Sequence, residues 1–246
     1  MAVPTGKAPD IGAYELGRLT MSTELPKAIV EAARPENWKT APAKPAPGGG
    51  SYYVNNSTGS DSNPGTTAAP WKTLKNVDGR NFAPGDTIYF ARGSSFTGGF
   101  VISSSGRQGR PITFTAYGSG PAPRFSNPDY GVLNGNAIRV TGSYIVIDDL
   151  YFHDCATAPG GTPGGPQKVG AIFITPTAAH NVVRNCEITR SPMCIHVYGQ
   201  YNLVTHNYIH DKHRFQDPRL VGRGCHALPL EQRSVLQPDR QLPATK

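Results

Sequence analysis

Side chains that can transfer protons stand next to one another late in the chain, at His210, Asp211, Lys212 and His213. Imidazole and carboxylate groups are common general acids and bases, and lysine or arginine can neutralise an anionic group. The same residue types occur upstream, at Asp148, Asp149, Asp154 and Arg190. If the fold brings these residues onto one face, they predict acid–base chemistry.

An internal repeat provides the elements that would position them. Segments 146–154, 182–190 and 203–211 align; the last two begin 21 residues apart and the first two 36 apart. A glycine- and proline-rich insertion at 156–170 accounts for the longer interval, and a short apolar alternation precedes each segment. A repeat of roughly 20–25 residues with two or three short strands per copy predicts a β-solenoid.

The repeat assigns side chains to columns, because equivalent residues on successive coils lie one strand spacing, ~4.8 Å, apart. The predicted outward columns are Asp149/Asn185/His206, Tyr151/Glu187/Tyr208, His153/Thr189/His210, Asp154/Arg190/Asp211 and Arg139/Phe173/His196. The predicted inward columns include Ile147/Val183/Val204, Phe152/Ile188/Ile209 and Leu150/Cys186/Asn207, with Asn207 satisfying backbone groups at a turn. The alternative is that the outward columns are an ordinary solvated face, where His, Asp and Arg pair locally.

Composition excludes several other classes. Glycine and proline supply 28 and 23 of the 246 residues, without a collagen period, and charged residues make up only 17%. No apolar run reaches the ~18 residues of a membrane helix, and we expect no signal peptide in this chain, because no basic and then apolar stretch opens it. The net charge of +7 permits a polyanionic partner, but no nucleic-acid motif is present. None of the four cysteines forms a CxxC pair; Cys186 is expected in the core, and a disulfide with Cys194 stays open.

Four regions follow along the chain. We expect a separate remnant at 1–17, a Pro/Ala/Gly-rich linker with one short helix at 18–50, a β-solenoid at 51–213 and an irregular basic tail at 214–246. A short amphipathic helix is also expected from Pro70 to Val77. The fold class is all-β, with a short N-terminal helix cap and disordered or irregular termini.

The chain resembles the right-handed parallel β-helix superfamily, the pectate-lyase-like proteins of secreted bacterial type. The segments that carry the likeness lie at 52–54, 61–66, 70–74, 84–88 and 111–118, and in the coil repeats of 137–211. Residues 8–15 resemble the segment that often closes such a helix. Its place before an opening segment, and the loss of the repeat after His213, suggest a truncated or frameshifted member.

The resemblance implies a carbohydrate-active protein that acts on or binds extracellular, acidic polysaccharide. A lyase would need a neutralised carboxylate, a base and an acid, with Ca²⁺ as a possible cofactor. The residues assigned to catalysis are Asp154, Arg190, His210, Asp211 and Lys212; to metal binding, Asp148 and Asp149; to substrate binding, Arg139, His196, His206 and Tyr208. An inverting hydrolase would need carboxylates ~6.5–9.5 Å apart, for which Asp154 and Asp211 are candidates.

The alternative that the resemblance leaves open is a non-catalytic β-helix, either a surface adhesin or a binding module. In each version the expected partner is a polysaccharide. We expect no nucleic acid, no membrane span and a monomer, in a parent protein that is secreted or on the cell surface.

Overall fold

The structure is a computed structural model that describes residues 49–157 and 169–211. Nearly all regular structure in these ranges is strand, with two short 3-10 turns at Leu74–Asn76 and Leu133–Gly135. The strands are β1 (Ser51–Val54), β2 (Thr87–Ala91), β3 (Ser95–Thr97), β4 (Phe100–Ile102), β5 (Ile112–Tyr117), β6 (Arg124–Ser126), β7 (Ile138–Val140), β8 (Ile145–Asp148), β9 (Tyr151–His153), β10 (Ile172–Ile174), β11 (Val182–Arg184), β12 (Glu187–Thr189), β13 (Ile195–Val197), β14 (Leu203–Thr205) and β15 (Tyr208–His210). No helix in these ranges is long and apolar enough to cross a membrane.

The strands form three parallel sheets along one axis. The first sheet has the order β1-β2-β5-β8-β11-β14, the second β13-β10-β7-β4 and the third β15-β12-β9-β6-β3. One coil visits the three sheets in turn, as β8, β9 and β10 do, and the next coil, β11, β12 and β13, pairs with it in parallel. Connections between parallel strands of one sheet are right-handed in almost all proteins. The predicted fold class, a parallel β-helix, is confirmed.

The register of the repeat is confirmed as well. Ile147 pairs with Val183, and Val183 with Val204, in the first sheet. Phe152, Ile188 and Ile209 pair in the third sheet. Ile147, Val183, Phe152 and Ile188 have no exposed surface. These inward columns fill the space between the sheets.

Aromatic side chains dominate the core of the earlier coils. Phe90 and Phe125 meet edge to face at 5.0 Å between ring centroids, and Phe125 stacks on Phe152 at 5.5 Å. Phe90, Phe125 and Phe152 are completely buried. Rings of this size bury a large apolar area, so they give the short coils a continuous core.

Residues with positive φ form the corners of the coil. Three sets of equivalent residues adopt the left-handed conformation, none of them glycine, with φ between 47° and 58°: Tyr144/His180/Tyr201, Asp149/Asn185/His206 and Asp154/Arg190/Asp211. Non-glycine residues rarely adopt this conformation, and Asn, Asp and His do so most readily. The corners therefore fix where each strand begins and ends.

Asparagines satisfy backbone groups between neighbouring coils. The Asn181 Oδ1 atom accepts a hydrogen bond from the Ile145 amide at 2.8 Å, and the Asn202 Oδ1 atom accepts one from the Asn181 amide at 2.9 Å. The Asn207 side chain accepts from the Cys186 amide at 3.0 Å and donates to the Val183 carbonyl at 2.9 Å. The predicted backbone-bonding role of Asn207 is confirmed.

Some sequence-based expectations differ from the structure. The 3-10 turn Leu74–Asn76, which Thr73 caps, takes the place of the longer amphipathic helix expected from Pro70. Cys186 is buried as predicted and forms no disulfide bond, so the pairing with Cys194 that the sequence left open is not formed. The segment 1–17, the short helix and nearly all of the linker before Ser51, and the tail 214–246 lie outside the described residues.

Candidate functional site

The outer face of the third sheet collects most of the predicted catalytic residues. Glu187 pairs with Tyr151 and Tyr208, and Thr189 pairs with His153 and His210. We call this face with its adjoining corners the charged strip: Tyr151, His153, Asp154, Glu187, Thr189, Arg190, Tyr208, His210 and Asp211. Its side chains come from three successive coils, so the register of the third sheet sets their mutual distances.

Asp154 and Arg190 form the shortest ion pair in the strip. The Arg190 Nε atom donates to Oδ1 of Asp154 at 2.8 Å and the Arg190 Nη2 atom to Oδ2 at 2.6 Å, a two-point arrangement. The hydrogen bonds from Arg190 outweigh burial and lower the pKa of Asp154 to about 2. The same contacts raise the pKa of Arg190 above its ordinary value. Asp154 is consequently a carboxylate near neutral pH and cannot serve there as a general acid.

His210 lies between two carboxylates. Its Nδ1 atom is 2.9 Å from Oδ2 of Asp211, and its Nε2 atom is 3.1 Å from Oε1 of Glu187 on the preceding coil. The ring of Tyr208 stacks against the imidazole at 4.3 Å between centroids. Both nitrogens of His210 are thus engaged within the strip.

The outer face of the second sheet is basic and aromatic. Arg139, Phe173 and His196 are paired in register on β7, β10 and β13, as the sequence predicts. Tyr198 packs against His196 at 4.7 Å and against Phe173 at 5.9 Å between centroids. We call these residues the basic–aromatic row; the four strands of this sheet contain no acidic residue.

Arg139 is a half-buried cation in this row. Its guanidinium donates to the Leu133 carbonyl at 2.9 Å and to Oδ1 of Asn136 at 3.1 Å, and it lies 5.9 Å from the centre of the Phe173 ring. Burial lowers the pKa of Arg139 below its ordinary value. Among the described residues no carboxylate lies within ion-pair distance of it, so the positive charge of Arg139 is not neutralised there.

The two aspartates predicted as metal ligands face arginines instead. Asp148 has no exposed surface, and its Oδ1 and Oδ2 atoms accept from Asn185 at 2.7 Å and from Arg184 at 3.1 Å. Asp149 forms an ion pair with Arg92. These carboxylates are a poor fit to a Ca²⁺ site, because each is already paired with a cation. Within the described ranges no group of three or more His, Cys, Asp or Glu side chains could hold a metal ion.

The corner residues Asp149 and Asn185 are buried, contrary to the prediction from the sequence. Both were expected to face solvent, yet Asp149 is 7% and Asn185 2% exposed. Their left-handed backbone turns the side chains back toward Arg92 and Asp148. His206, at the equivalent corner of the next coil, is exposed as expected and contacts the Thr205 hydroxyl at 2.7 Å.

The structure therefore divides the predicted site residues between faces. Asp154, Arg190, Tyr208, His210 and Asp211 share the charged strip, whereas Arg139 and His196 share the basic–aromatic row. His206 lies at a corner away from the row, and Lys212 lies outside the described residues.

Glu187, His153 and Tyr198 were not selected as site residues from the sequence. A repeated pattern, Tyr-x-His-Asp at 151–154 and again at 208–211, was the signal that could have identified His153. Glu187 is the residue of the intervening coil that stands between the two tyrosines.

Known proteins that are similar to parts of the chain include carbohydrate-active enzymes. No family model matches the chain. It is 31% identical over 105 residues to a lacto-N-biosidase of Bifidobacterium longum subsp. longum, a match over 41% of this chain and 6% of that protein. The chain thus spans a small fraction of the curated relative that it matches.

Three solved structures are similar to parts of the chain. A GH136 lacto-N-biosidase from Eubacterium ramulus has a TM-score of 0.45 at 21% identity, over 69% of this chain and 31% of that one. A rhamnogalacturonan lyase has a TM-score of 0.46 at 23% identity, over 65% of this chain and 40% of that one. An alginate lyase from Paenibacillus sp. has a TM-score of 0.34 at 24% identity, over 52% of this chain and 37% of that one. These distant likenesses do not distinguish one activity from another.

Proposed function

We propose that this protein is a carbohydrate-active parallel β-helix that acts on or binds an extracellular, acidic polysaccharide. The observation that carries the proposal is the basic–aromatic row, in which the Arg139 cation has no carboxylate partner among the described residues. The parent protein would be secreted or displayed on the cell surface, where such polymers occur.

The row suits an acidic sugar for two reasons. A guanidinium binds a carboxylate through two parallel hydrogen bonds, and a partly desolvated cation gains more from an anion than an exposed one does. The rings of His196 and Tyr198, 45% exposed at Tyr198, offer an apolar surface on the same face, two coils from the cation. A chain of pyranose rings, with carboxylates on their edges and C–H groups on their faces, fits this combination, since the cation and the exposed rings lie roughly two strand spacings apart.

The sequence likeness to a lacto-N-biosidase over 105 residues supports a carbohydrate ligand. Chemistry on that ligand, by β-elimination or by hydrolysis, would need the acid–base groups of the charged strip. In the lyase version His210 or Lys212 would accept a proton and Arg190 would neutralise the substrate carboxylate. In the hydrolase version Asp154 and Asp211 would be the two carboxylates. Asp154 could then act as base but not as acid.

One observation favours the alternative, a non-catalytic binding module. The charged strip is on the third sheet and the basic–aromatic row on the second, so they face different directions. Within the strip the charged groups are paired with one another, which is the behaviour of a solvated solenoid face. A module that binds through the second sheet needs no contribution from the strip.

Affinity electrophoresis of the full chain in gels containing polygalacturonate, alginate or neutral dextran tests the proposal. We expect retardation by the acidic polymers and none by dextran. Loss of one charge-assisted contact in Arg139→Gln should weaken binding by roughly 10- to 100-fold. Arg107→Gln removes an exposed arginine from a turn and is the charge-matched control, with an expected change below about twofold. Equal weakening by both substitutions would show that only net charge attracts the polymer.

Catalysis is tested separately on the same polymers. Unsaturated uronic-acid products, detected by their ultraviolet absorbance, identify a lyase, whereas new reducing ends without that absorbance identify a hydrolase. Parallel reactions with Ca²⁺ and with a chelator test the expected cofactor. Binding without either product would support the non-catalytic alternative.

A further inference from the structure

The charged strip contains two histidines in equivalent places with different surroundings. His153 and His210 flank Thr189 in one column, and each is followed by an aspartate at a left-handed corner. In both cases the Nδ1 atom contacts that aspartate, at 2.8 Å in His153–Asp154 and at 2.9 Å in His210–Asp211. The local geometry is therefore repeated two coils apart.

The Nε2 atoms of the two rings differ. That of His210 is 3.1 Å from the carboxylate of Glu187 on the preceding coil. For His153 the equivalent place on the preceding coil belongs to Arg124, which pairs with Tyr151 and lies 5.5 Å from the centre of its ring. An arginine cannot accept a hydrogen bond, and among the described residues the Nε2 atom of His153 has no hydrogen-bond partner.

Asp154 fixes which nitrogen of His153 carries the proton. The paired guanidinium of Arg190 keeps Asp154 ionised, with a pKa of about 2. A carboxylate accepts hydrogen bonds only, so the Nδ1 atom of His153 is the donor in the 2.8 Å contact. The neutral ring then has a lone pair on Nε2, and 22% of the side chain is exposed.

A second polar atom next in the column also lacks a partner. Thr189 is 1% exposed, and within the described residues its Oγ1 atom is buried with no hydrogen bond. A buried hydroxyl without a partner is costly unless a water or a ligand satisfies it. Thr189 stands one coil from His153, a distance of ~4.8 Å.

We propose that the Nε2 atom of His153 and the Oγ1 atom of Thr189 form a binding site for a sugar hydroxyl group. The ligand hydroxyl donates its hydrogen to Nε2, and its oxygen accepts the hydrogen of Thr189. Asp154 and Arg190 are positioning residues that hold the imidazole in the required tautomer. The choice of a sugar as ligand rests on the proposed function. The absence of a partner for the Nε2 atom of His153 among the described residues is independent of that function.

Carbethoxylation with diethyl pyrocarbonate, read by peptide mass spectrometry on the full chain, tests the open nitrogen without any ligand. The lone pair of an unprotonated imidazole nitrogen attacks a carbonyl carbon of this reagent and takes up its ethoxycarbonyl group, with release of ethanol and carbon dioxide. His153 should react about tenfold faster than His210, whose two nitrogens are both engaged. Glu187→Gln is an isosteric change on the outer face that weakens the contact with the Nε2 atom of His210. It should therefore bring the modification rate of His210 closer to that of His153. Equal modification rates for the two histidines in the wild-type chain would refute the claim that the Nε2 atom of His153 is unpartnered and accessible.

The ligand is tested by protection, with oligogalacturonate and a neutral galacto-oligosaccharide as probes. Either probe should slow the modification of His153 severalfold and leave that of His210 unchanged. Thr189→Val replaces the hydroxyl by a methyl group of similar size, and should abolish the protection while His153 stays reactive. Absence of protection by both probes would overturn the hydroxyl site. That result is distinct from failure of the proposed function, which is judged by the retardation that depends on Arg139.

Discussion

Substitution of Asn181 by alanine measures what one asparagine contributes to the stacking of coils. The Asn181 side chain is the acceptor for the amide of Ile145, and its Nδ2 atom donates to the Gly142 carbonyl at 3.3 Å. Ile145 has no exposed surface and Asn181 is 1% exposed, so water does not readily replace the amide oxygen. The lost acceptor leaves a buried N–H group unpaired, at a cost of about 1–3 kcal/mol.

Urea denaturation followed by circular dichroism gives the magnitude directly. With a denaturant dependence of about 1–3 kcal/mol per molar urea, a loss of ~2 kcal/mol lowers the midpoint by roughly 1 M. Asn56→Ala is the matched control, because its side chain also bonds a carbonyl, that of Ser95 at 2.7 Å, but at an exposed place. We expect that control to stay within about 0.5 kcal/mol of the wild type. If both variants shift the midpoint equally, the burial of the Ile145 amide is not what makes the asparagine important.

Three further predictions concern the ion pair, the core and a thiol. Asp154→Asn should lower stability at pH 7 by less than about 1 kcal/mol, because the Asp154–Arg190 pair is largely exposed. The folded-state pKa of about 2 lies below the ordinary 3.8, so this contribution is present above about pH 4 and is lost as the pH falls toward 2. Melting temperatures of the variant and the wild type should therefore differ at pH 7 and converge at pH 2; a constant difference would contradict the assignment. Phe152→Ala should cost about 3–5 kcal/mol in the urea assay, since the ring is fully buried, and the half-exposed Tyr151→Ala should cost clearly less. Burial raises the pKa of the Cys155 thiol to about 11, so iodoacetamide at pH 8 should label it only after unfolding. Rapid labelling of the native chain, seen by peptide mass spectrometry, would refute that burial.

The repeat region was predictable from sequence because its side chains alternate with a period of two. Ile147, Val183 and Val204 could be aligned from the sequence, and their alignment predicted the register of the strands between residues 138 and 210. The coils before residue 137 were harder, because their strands are separated by turns of unequal length and share no common pattern. Short strands could be inferred there, at 52–54, 87–91, 100–102 and 112–115, but not the register in which they pair.

The corners explain why part of the candidate site could not be predicted. Alternation assigns Asp149 to the outside, but a left-handed residue redirects its side chain, and its partner Arg92 comes from a coil 57 residues earlier. Pairing between Arg190 and Asp154, by contrast, follows from opposite charges at equivalent places on adjacent coils. Contacts within a column were therefore predictable, whereas contacts across a corner depended on backbone geometry that the sequence does not display.

The non-glycine corners have a consequence for how such a protein can change its length. In the repeat region each coil carries its own corner residues, and its strands pair only with those of the two neighbouring coils, so a duplicated coil can be inserted there with little change to the rest. Each insertion would extend every outer face by one strand spacing, ~4.8 Å, and would add another copy of whatever that face presents. Duplication of coils is thus a stepwise route by which a lineage of such chains could match the length of its surface to that of a repeating polymer, gaining avidity with each step.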